Sequence, residues 1–468
     1  MMSLMEAAIA TGATGGTAFH GNPRIEGVST DTRTIASGEL FIALKGEHFD
    51  GHEFIEAAAG RGAAAAMVNA EWADAHALAL PALAVADTRL ALGNLGAWWR
   101  ARFDIPLIGV TGSNGKTTVK EMIAAILRAQ AAADGYDPAL AVLATAGNLN
   151  NDIGLPLMLL RLRGSHRAAV IEMGMNHPGE IAYLTRLAQP TVALVNNAQR
   201  AHLAGLGGVA EVARAKGEIF DGLREGGTAV INADDPFAGL WREMSGGRRT
   251  ASFGLDHPAD ARGRVEPKAL GSVLSIDVPQ GAVEVTLQVP GVHNARNALA
   301  AAAAALAAGA SPAAVATGLT FFRGVKGRLQ IRSATSGAVL IDDSYNANPD
   351  SVRAAIDVLA ATPGRKILVL GDMGEIGGQA GQFHDEVGGY AKSQGVDQLF
   401  ALGEQSELAS RNFGAGGRHF DGVEALLDAL SPQLGSDTAV LVKGSRFMRM
   451  ERVADAIAEE DNPKNGVH

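Results

Sequence analysis

One segment, residues 108–118, constrains the fold of this chain more than any other. It reads IGVTGSNGKTT, which is typical of a buried strand, a glycine-rich turn and the start of a helix. The N–H groups of such a turn and the helix N-terminus attract an anion, Lys116 adds a full positive charge, and the Thr117 hydroxyl can bind Mg²⁺. The segment therefore predicts a site for the polyphosphate of ATP or GTP.

The segment departs from the strict phosphate-loop pattern G-x-x-x-x-G-K-[ST] at one position. The pattern requires glycine where this chain has Val110, whereas Gly112, Gly115, Lys116 and Thr117 fit it. The alternative is an ordinary glycine-rich turn that contains a lysine. The order of strand, turn and helix favours the phosphate site.

The composition excludes several classes of protein. The 468 residues suggest about three units of ~150 residues. A net charge of −10 argues against duplex nucleic acid as a partner. The absence of cysteine excludes disulfides and thiol nucleophiles, favours oxygen ligands and Mg²⁺, and fits a cytoplasmic protein. The apolar run from Ala298 to Ala310 is too short to span a bilayer, so we expect no membrane insertion and a packed helix that ends at Gly309.

The pattern of apolar runs predicts an α/β protein of three units. Residues 1–86 suggest a small mixed α/β unit, and residues 87–321 alternate strands and helices as a doubly wound parallel sheet does. Residues 322–468 restart this alternation as a Rossmann-like unit, although the GxGxxG fingerprint is missing. The predicted strands of the last two units are 108–111, 168–171, 191–196, 228–232, 339–342, 366–371, 398–402 and 439–443.

Four further features have both a functional and a structural interpretation. Glu172 ends a predicted strand, where carboxylates line the ligand crevice of an α/β sheet and suit Mg²⁺, or it is a plain surface carboxylate. The segment 342–349, DDSYNANP, suits polar ligands or forms a capping turn before a helix near Pro349. His202 and Lys216 indicate little by themselves, and the plain expectation for Lys216 is a solvated lysine on a short amphipathic helix.

Together the motifs of the chain resemble those of the Mur ligase family. The resemblance covers nearly the whole chain, and the family tolerates the missing first glycine of the phosphate loop. The motifs that carry it are STDTR (29–33), ALKGEHFDGHEF (43–54), TGSNGKTTVKEM (111–122), GNLNNDIGLP (147–156), EMGMNHPGEI (172–181), NNAQRAHL (196–203), AKGEIF (215–220), HNARNALAA (293–301), GRLQ (327–330), DDSYNANP (342–349), GDMGEIG (371–377) and VKGSRFMRME (442–451).

The resemblance implies an ATP-dependent amide ligase of cytoplasmic peptidoglycan precursor synthesis. The specific motifs GNLNNDIG, DDSYNANP and VKGSRFMRM resemble those of members that join D-alanyl-D-alanine to UDP-N-acetylmuramoyl-tripeptide. In such a reaction a carboxylate attacks the γ-phosphate of ATP, and an amine then displaces phosphate from the acyl phosphate. Two Mg²⁺ ions offset the repulsion between the two anions. We expect a monomer whose partners are these two small substrates.

The resemblance also implies roles for individual residues around ATP. The catalytic candidates are Lys116, Glu172, His202, Lys216 and Arg328. The metal ligands would be Thr117, Glu172, His202 and, as a carbamate, Lys216. The nucleotide-binding candidates are Thr111, Gly112, Ser113, Asn114, Gly115, Lys116, Thr117 and Thr118 at the phosphates, Asn294 and Asn297 on the adenine side, Arg328 from the third unit, and Asp343 at the ribose or the hinge.

A second set of candidates would bind the other substrates, although each of them has the alternative of a turn or helix-cap role. Those for the UDP end are Asp31, Thr32, Arg33, Asp50, Gly51 and His52. Those for the muramoyl peptide are Asn148 and Asn151, with Tyr345, Asn346 and Asn348 as further substrate-binding residues. Those for the carboxylate of the incoming dipeptide are Lys443, Ser445 and Arg446.

Three other functions compete with this interpretation. An ATP hydrolase or kinase would use the same phosphate loop but needs neither the first nor the third unit. A silent nucleotide-binding protein would not need the set of candidate catalytic residues. The family member that adds the third residue is disfavoured because the chain lacks an aspartate-asparagine-proline-arginine motif. Since Arg328 must reach ATP bound by the central unit, we also expect the units to close on ligand binding.

Overall fold

A computed structural model describes residues 1–13, 22–201, 203–268 and 270–459 of the chain. Three of its sheets have four, nine and six strands and follow one another along the chain. We call the parts of the chain that carry them the first, central and third units. This architecture confirms the predicted α/β class. Within the described ranges, no helix combines the length and the apolar character needed to cross a membrane.

The first unit is built around a small parallel sheet. Its elements are β1 (Met2–Ser3), α1 (Leu4–Thr11), β2 (Arg24–Ile25), β3 (Gly27–Ser29), β4 (Glu39–Ile42), α2 (Ile55–Gly60), β5 (Ala65–Asn69), α3 (Ala70–Ala75) and β6 (Ala82–Val85). Strands β3 to β6 pair in chain order and in parallel, and β1 pairs with β2 antiparallel. Successive residues of β4 and β5 are buried on opposite faces, so both faces of the sheet are covered.

The central unit carries the phosphate-loop candidate. Its elements are α4 (Thr88–Arg100), β7 (Leu107–Thr111), α5 (Lys116–Ala133), α6 (Pro138–Ala141), β8 (Val142–Ala144), α7 (Gly154–Leu159), β9 (Ala168–Glu172), α8 (Glu180–Ala188), β10 (Val192–Val195), α9 (Leu203–Leu206), α10 (Val209–Gly217), β11 (Thr228–Asn232), α11 (Ala238–Met244), β12 (Arg249–Gly254), β13 (Ala261–Lys268), β14 (Gly271–Val278), β15 (Gly281–Leu287), α12 (Val292–Ala307) and α13 (Pro312–Thr320).

The nine strands of the central sheet lie in the order β15-β14-β13-β12-β11-β10-β7-β9-β8. Pairing is parallel from β8 to β13, and β13, β14 and β15 form an antiparallel extension at one edge. Four of the parallel strands, β7, β9, β10 and β11, were predicted from the sequence, whereas β8, β12 and this extension were not. The alanine run forms α12, as predicted, and its small side chains are buried against α5 and the sheet.

The third unit is a second parallel sheet. Its elements are β16 (Gln330–Ser333), β17 (Val339–Asp343), α14 (Pro349–Ala361), β18 (Arg365–Gly371), α15 (Ala380–Ser393), β19 (Gln398–Leu402), α16 (Ser406–Phe413), β20 (Gly417–Phe420), α17 (Val423–Leu430), β21 (Thr438–Lys443) and α18 (Glu451–Ile457). Strands β17, β21, β18, β19 and β20 pair in parallel in that order, and β16 adds an antiparallel edge. The four strands predicted for this unit are all present.

A cluster of charged side chains joins the central and third units. The Arg200 guanidinium donates to Asp350 at 2.6 Å and to Glu386 at 3.0 Å, and the Arg200 backbone N–H donates to Asp350 at 2.9 Å. Arg353 donates to Glu386 at 2.8 Å. These carboxylates raise the pKa of Arg200 above its ordinary value. Because Arg200 is only 26% exposed, water screens the pairs less than it screens surface ion pairs.

We predict that Gly318 of α13 tolerates no side chain. A Cβ atom at this position would lie 2.5 Å from Ile126 Cα of α5, so alanine must push the two helices apart. Gly318→Ala should lower the stability of the central unit by about 1–3 kcal/mol. Gly239→Ala is the control, because a Cβ atom at this helical glycine meets nothing within 4 Å. Thermal unfolding followed by circular dichroism checks both, and equal melting temperatures would contradict the prediction.

We predict that Arg200 and Asp350 are energetically coupled across the units. A double-mutant cycle of Arg200→Ala and Asp350→Ala should give a coupling free energy of about 1–3 kcal/mol. The free energy of each variant is obtained from the denaturant midpoint at which fluorescence transfer between labels on the two units is lost. The control is Arg411→Ala, whose exposed partner Glu407 lies on the same helix, and which should change the midpoint by less than ~0.5 kcal/mol. Additive single effects would contradict the coupling.

Candidate active site

The glycine-rich turn lies between β7 and α5, as predicted. Gly115 has a φ of 80°, and a Cβ atom there would clash with Asn297 Oδ1 and lie 2.7 Å from Asn196 Nδ2. Only glycine combines this backbone conformation with this close approach. Val110, in contrast, is buried inside β7 between β9 and β10, so the departure from the strict pattern falls within a strand rather than in the turn.

Neighbouring loops hold the turn in place. The Ser113 N–H donates to Asn197 O at 3.0 Å, and the Asn114 N–H donates to Asn197 Oδ1 at 2.9 Å. The side-chain amide of Asn196 donates to Asn114 O at 2.9 Å. Thr111 and Thr118, at the two ends of the segment, are buried. The turn is therefore a rigid element whose shape does not depend on a ligand.

Glu172 lies at the carboxyl end of β9 and is 3% exposed, so it is not a surface carboxylate. The Thr117 hydroxyl donates to its Oε2 at 3.0 Å, and Asn150 Nδ2 donates to its Oε1 at 2.8 Å. The sequence analysis missed Asn150, although this residue lies between the two asparagines that were selected from the same motif. The carboxylate and hydroxyl oxygens of Glu172 and Thr117 form a pair of hard donors beside the phosphate turn.

Two cations from different units meet at the turn. Lys116 Nζ donates to Gly112 O at 2.7 Å and to Ser113 O at 3.2 Å, and burial lowers the pKa of this amine. Arg328 of the third unit donates to the Thr117 hydroxyl at 3.4 Å, and its guanidinium carbon lies 4.1 Å from the centre of the Tyr345 ring. The structure therefore brings Arg328 to the phosphate turn.

Lys216 is not the solvated lysine that its helix suggested. It lies on α10 and is 1% exposed, because the apolar face that includes Val212 and Phe220 packs into the core around it. Burial first, and then the charge of Lys116, hold the pKa of the Lys216 amine well below its ordinary value. No hydrogen-bond acceptor or carboxylate pairs with Lys216 among the residues that the structure describes. Such a setting favours the uncharged form of the amine.

The predicted metal-ligand set is only partly visible. His202 lies outside the described residues. The described ranges contain no group of three or more histidine, cysteine, aspartate or glutamate side chains that could hold a metal ion. The oxygen atoms of Thr117 and Glu172 fit Mg²⁺ in kind, and further ligands would have to come from water, from a nucleotide, from His202 or from a modified Lys216.

A cavity of about 530 Å³ lies beside the turn, between the central and third units. We call it the nucleotide cavity. Asn294 and Asn297 of α12 line it, and Asn297 Nδ2 donates to Asn294 Oδ1 at 3.1 Å. The wall from the third unit includes Asp343 and Asp350. Its size and its mixture of amide and carboxylate groups suit a nucleoside whose phosphates lie on the turn.

The carboxyl ends of β17 and β21 carry a buried ion pair. Lys443 Nζ donates to Asp343 Oδ2 at 2.5 Å and to Asn346 O at 2.9 Å. The Ser445 hydroxyl donates to Ala347 O at 3.1 Å and accepts from the Gly374 N–H at 2.7 Å. A contact between Lys443 and the carboxylate of a dipeptide would therefore require the pair with Asp343 to open. Burial raises the pKa of Asp343, although Lys443 opposes this effect.

Asn348 caps a helix and also contacts the phosphate turn. It caps α14, accepting from the Ser351 N–H at 2.9 Å, and its Nδ2 donates to Asn114 Oδ1 of the phosphate turn at 2.7 Å. The helix begins at Pro349 as predicted. Asn348 thus links the third unit directly to the turn.

A second cavity, of about 710 Å³, opens on the β9 side of the turn, and we call it the acceptor cavity. Lys116, Thr117 and Glu172 lie at one end. Among the predicted substrate-binding residues, the structure brings together here Asn148, Asn151, Tyr345, Asn346 and Arg446. Asn151 also accepts from the Gly154 N–H at 2.8 Å. Glu375, which the sequence analysis quoted only as part of a motif, lines the same cavity.

The candidates for the UDP end lie in the first unit, apart from both cavities. Asp31 and Arg33 form an exposed ion pair next to Thr32, and Arg33 lowers the pKa of Asp31 to about 2. His52 is buried, with Nδ1 at 2.5 Å from Asp50 Oδ1 and Nε2 accepting from the Asn69 N–H at 3.0 Å. Both ring nitrogens of His52 therefore serve the fold of the turn that contains Gly51.

Models of three protein-family segments match the chain in order. They are described as the Mur ligase family catalytic domain over residues 24–97, the Mur ligase middle domain over 110–305, and the Mur ligase glutamate ligase domain over 327–446. Two similar relatives are named UDP-N-acetylmuramoyl-tripeptide–D-alanyl-D-alanine ligase. The one from Escherichia coli is 43% identical over 93% of this chain and 94% of its own length. The one from Haemophilus influenzae is 42% identical over 94% and 95%.

Solved structures agree with the sequence matches. A crystal structure of MurF from Acinetobacter baumannii is 36% identical, has a TM-score of 0.87 and matches 97% of this chain and 98% of its own. The MurF ligase from Thermotoga maritima, solved in complex with ADP, is 26% identical with a TM-score of 0.77, over 92% and 96%. With three family segments matched in order and relatives similar over almost their full length, the chain belongs to the Mur ligase family.

Proposed function

We propose that this protein joins D-alanyl-D-alanine to UDP-N-acetylmuramoyl-tripeptide with hydrolysis of ATP to ADP and phosphate. The observation that carries the proposal is that Lys116, Thr117 and Glu172 line one end of the acceptor cavity, while Arg328 lines both this cavity and the nucleotide cavity. A phosphate held on the turn would face a carboxylate that enters from the acceptor cavity. The names of the relatives from Escherichia coli and Haemophilus influenzae support this choice of substrates.

The proposed chemistry has two steps. The terminal carboxylate of the tripeptide attacks the γ-phosphorus of ATP, the bond to the β-phosphate oxygen breaks, and an acyl phosphate and ADP result. The amine of the dipeptide then attacks the acyl carbon, and inorganic phosphate leaves with the bonding electron pair. Lys116 and Arg328 would stabilise the negative charge that develops on the transferred phosphoryl group.

Mg²⁺ fits the proposal as a second source of positive charge. Thr117 and Glu172 would hold it, with His202 and a carbamate on Lys216 as further ligands. When bound, the ion would neutralise the phosphates. The nucleotide would occupy the cavity lined by Asn294 and Asn297, as the ADP complex of the Thermotoga maritima relative supports.

A plain hydrolase or kinase remains the competing function. The shape of the site favours the ligase, because the acceptor cavity is larger than a water molecule or a hydroxyl group needs and is lined by residues of two units. The location in the cytoplasm and the monomeric state remain part of the proposal.

We predict that ADP release requires both acceptor substrates. The assay supplies ATP, Mg²⁺, D-alanyl-D-alanine and UDP-N-acetylmuramoyl-tripeptide with either lysine or diaminopimelate as third residue, and identifies products by mass. We expect the diaminopimelate form to be preferred, because a relative from Acinetobacter baumannii is named UDP-N-acetylmuramoylalanyl-D-glutamyl-2,6-diaminopimelate–D-alanyl-D-alanyl ligase. Lys116→Ala should lower kcat by about 100-fold or more, because a charge at the transferred phosphoryl group is lost.

The outcomes of this assay separate the alternatives. Release of ADP without either acceptor would indicate a hydrolase. A parallel reaction supplies free diaminopimelate and UDP-N-acetylmuramoyl-dipeptide, and product formation there would indicate the member that adds the third residue. Failure to extend either tripeptide would contradict the proposal.

We predict that Lys216 carries a carbamate. Its amine, in the uncharged form that burial favours, would attack CO₂, forming an N–C bond and releasing one proton, and the product would be an anionic ligand for Mg²⁺. Protein equilibrated with ¹³C-labelled bicarbonate should show a carbamate carbon signal that Lys216→Ala and Lys216→Arg lack. Both variants should lose roughly 100-fold in kcat, and acetate should restore part of it in the alanine variant. Full activity of the arginine variant, together with no labelled signal, would refute the carbamate.

A further inference from the structure

One glutamate carboxylate lies among the cationic side chains that line the acceptor cavity. The proposed reaction brings a substrate carboxylate to a phosphate, and the nearby cations Lys116, Arg328 and Arg446 suit both anions. A glutamate that faces the same space repels these groups. Such a residue favours a reactant that carries a cationic group.

Glu375 is that glutamate. It belongs to the loop after β18 of the third unit, its side chain is exposed, and it lines the acceptor cavity. It also lines a small cavity directly over the turn, together with Ser113, Lys116 and Thr117. Its carboxylate is near enough to Lys116 to act on the pKa of that amine, opposing the effect of burial. Glu375 therefore lies where the two proposed substrates would meet.

The loop holds Glu375 in an uncommon conformation. Its φ is 61°, in the left-handed region that disfavours residues other than glycine. Hydrogen bonds to two other segments of the third unit hold the backbone just before Glu375. The Met373 N–H donates to His384 Nε2 at 2.9 Å, and the Gly374 N–H donates to Ser445 Oγ at 2.7 Å. His384 is fully buried. Backbone strain that the surroundings maintain in this way is typical of functional sites.

We propose that Glu375 binds the ammonium group of the incoming dipeptide and so places its nitrogen in front of the acyl phosphate, where the nitrogen attacks as an amine after one proton has passed to water. The inference rests on the proposed function and adds a residue to it. Arg446 lies across the same cavity against Tyr345, with its guanidinium carbon 5.5 Å from the ring centre, and would bind the carboxylate at the other end of the dipeptide. The two residues together would bind the opposite charges at the two ends of the dipeptide.

The test separates dipeptide binding from acyl phosphate formation. Hydroxylamine is uncharged at neutral pH and attacks the acyl carbon directly, so that a hydroxamate forms and phosphate leaves. Glu375→Gln should raise the KM for D-alanyl-D-alanine by roughly 10- to 100-fold, because a charge-assisted hydrogen bond is lost. Hydroxamate formation from ATP and the tripeptide should fall far less than ligation of the dipeptide does, and the KM values of these two substrates should change little, because Glu375 affects Lys116 only through its charge.

Two further variants make the test sharper. Glu404→Gln is the matched control, since Glu404 is an exposed glutamate in the loop after β19 of the same unit, and it should behave as the parent protein does. Glu375→Asp keeps the charge and should recover part of the affinity for the dipeptide. If the glutamine variant folds poorly, the aspartate variant still gives a decisive test, because its formation of hydroxamate shows whether its site for ATP and the tripeptide is intact.

Each other outcome overturns the inference. Equal losses of hydroxamate and of ligated product in Glu375→Gln would place Glu375 in phosphoryl transfer or at Mg²⁺ instead. An unchanged KM for the dipeptide would show that Glu375 does not bind the ammonium. A parent protein that forms neither hydroxamate nor ligated product would refute the proposed function, and this inference with it.

Discussion

The close approach of Gly115 to Asn196 and Asn297 is the constraint on which the site depends. It fits the phosphate turn between the end of β10 and the second turn of α12, so the positions of three elements follow from one contact. The hydrogen bonds from Ser113 and Asn114 to Asn197 then leave the turn little freedom. A turn held this firmly is prepared to bind phosphate without a cost in reorganisation.

The third unit completes the site rather than merely adjoining it. It supplies Arg328 to the phosphate turn, Asn348 to Asn114, and one wall of each large cavity. Its attachment includes the charged cluster around Arg200, which suits units that are expected to separate and close during a catalytic cycle.

Much of this arrangement was predictable from the sequence. Apolar runs located four parallel strands of the central sheet and four of the third unit, and because strand ends share one edge of a sheet, Glu172 could be placed beside the turn. The extension of β13 to β15 was missed although residues 281–287 alternate in polarity after a turn sequence, which indicates a hairpin. The burial of Lys216 was not predictable, because it depends on which face of α10 the core covers. The hydrogen bonds of His52 with Asn69 and of Lys443 with Asp343 likewise join residues that are distant in sequence, so they were not predictable either.

The division of the nucleotide cavity between two units has a consequence for affinity. A nucleotide makes its full set of contacts only in molecules whose central and third units are together. The apparent dissociation constant is therefore the intrinsic one divided by the fraction of molecules in that state. Substitutions at the interface, such as at Glu386, which accepts from Arg200 of the central unit, would alter the apparent affinity for nucleotide without touching it. Nucleotide titration thus measures the equilibrium between the units as well as the chemistry of the cavity.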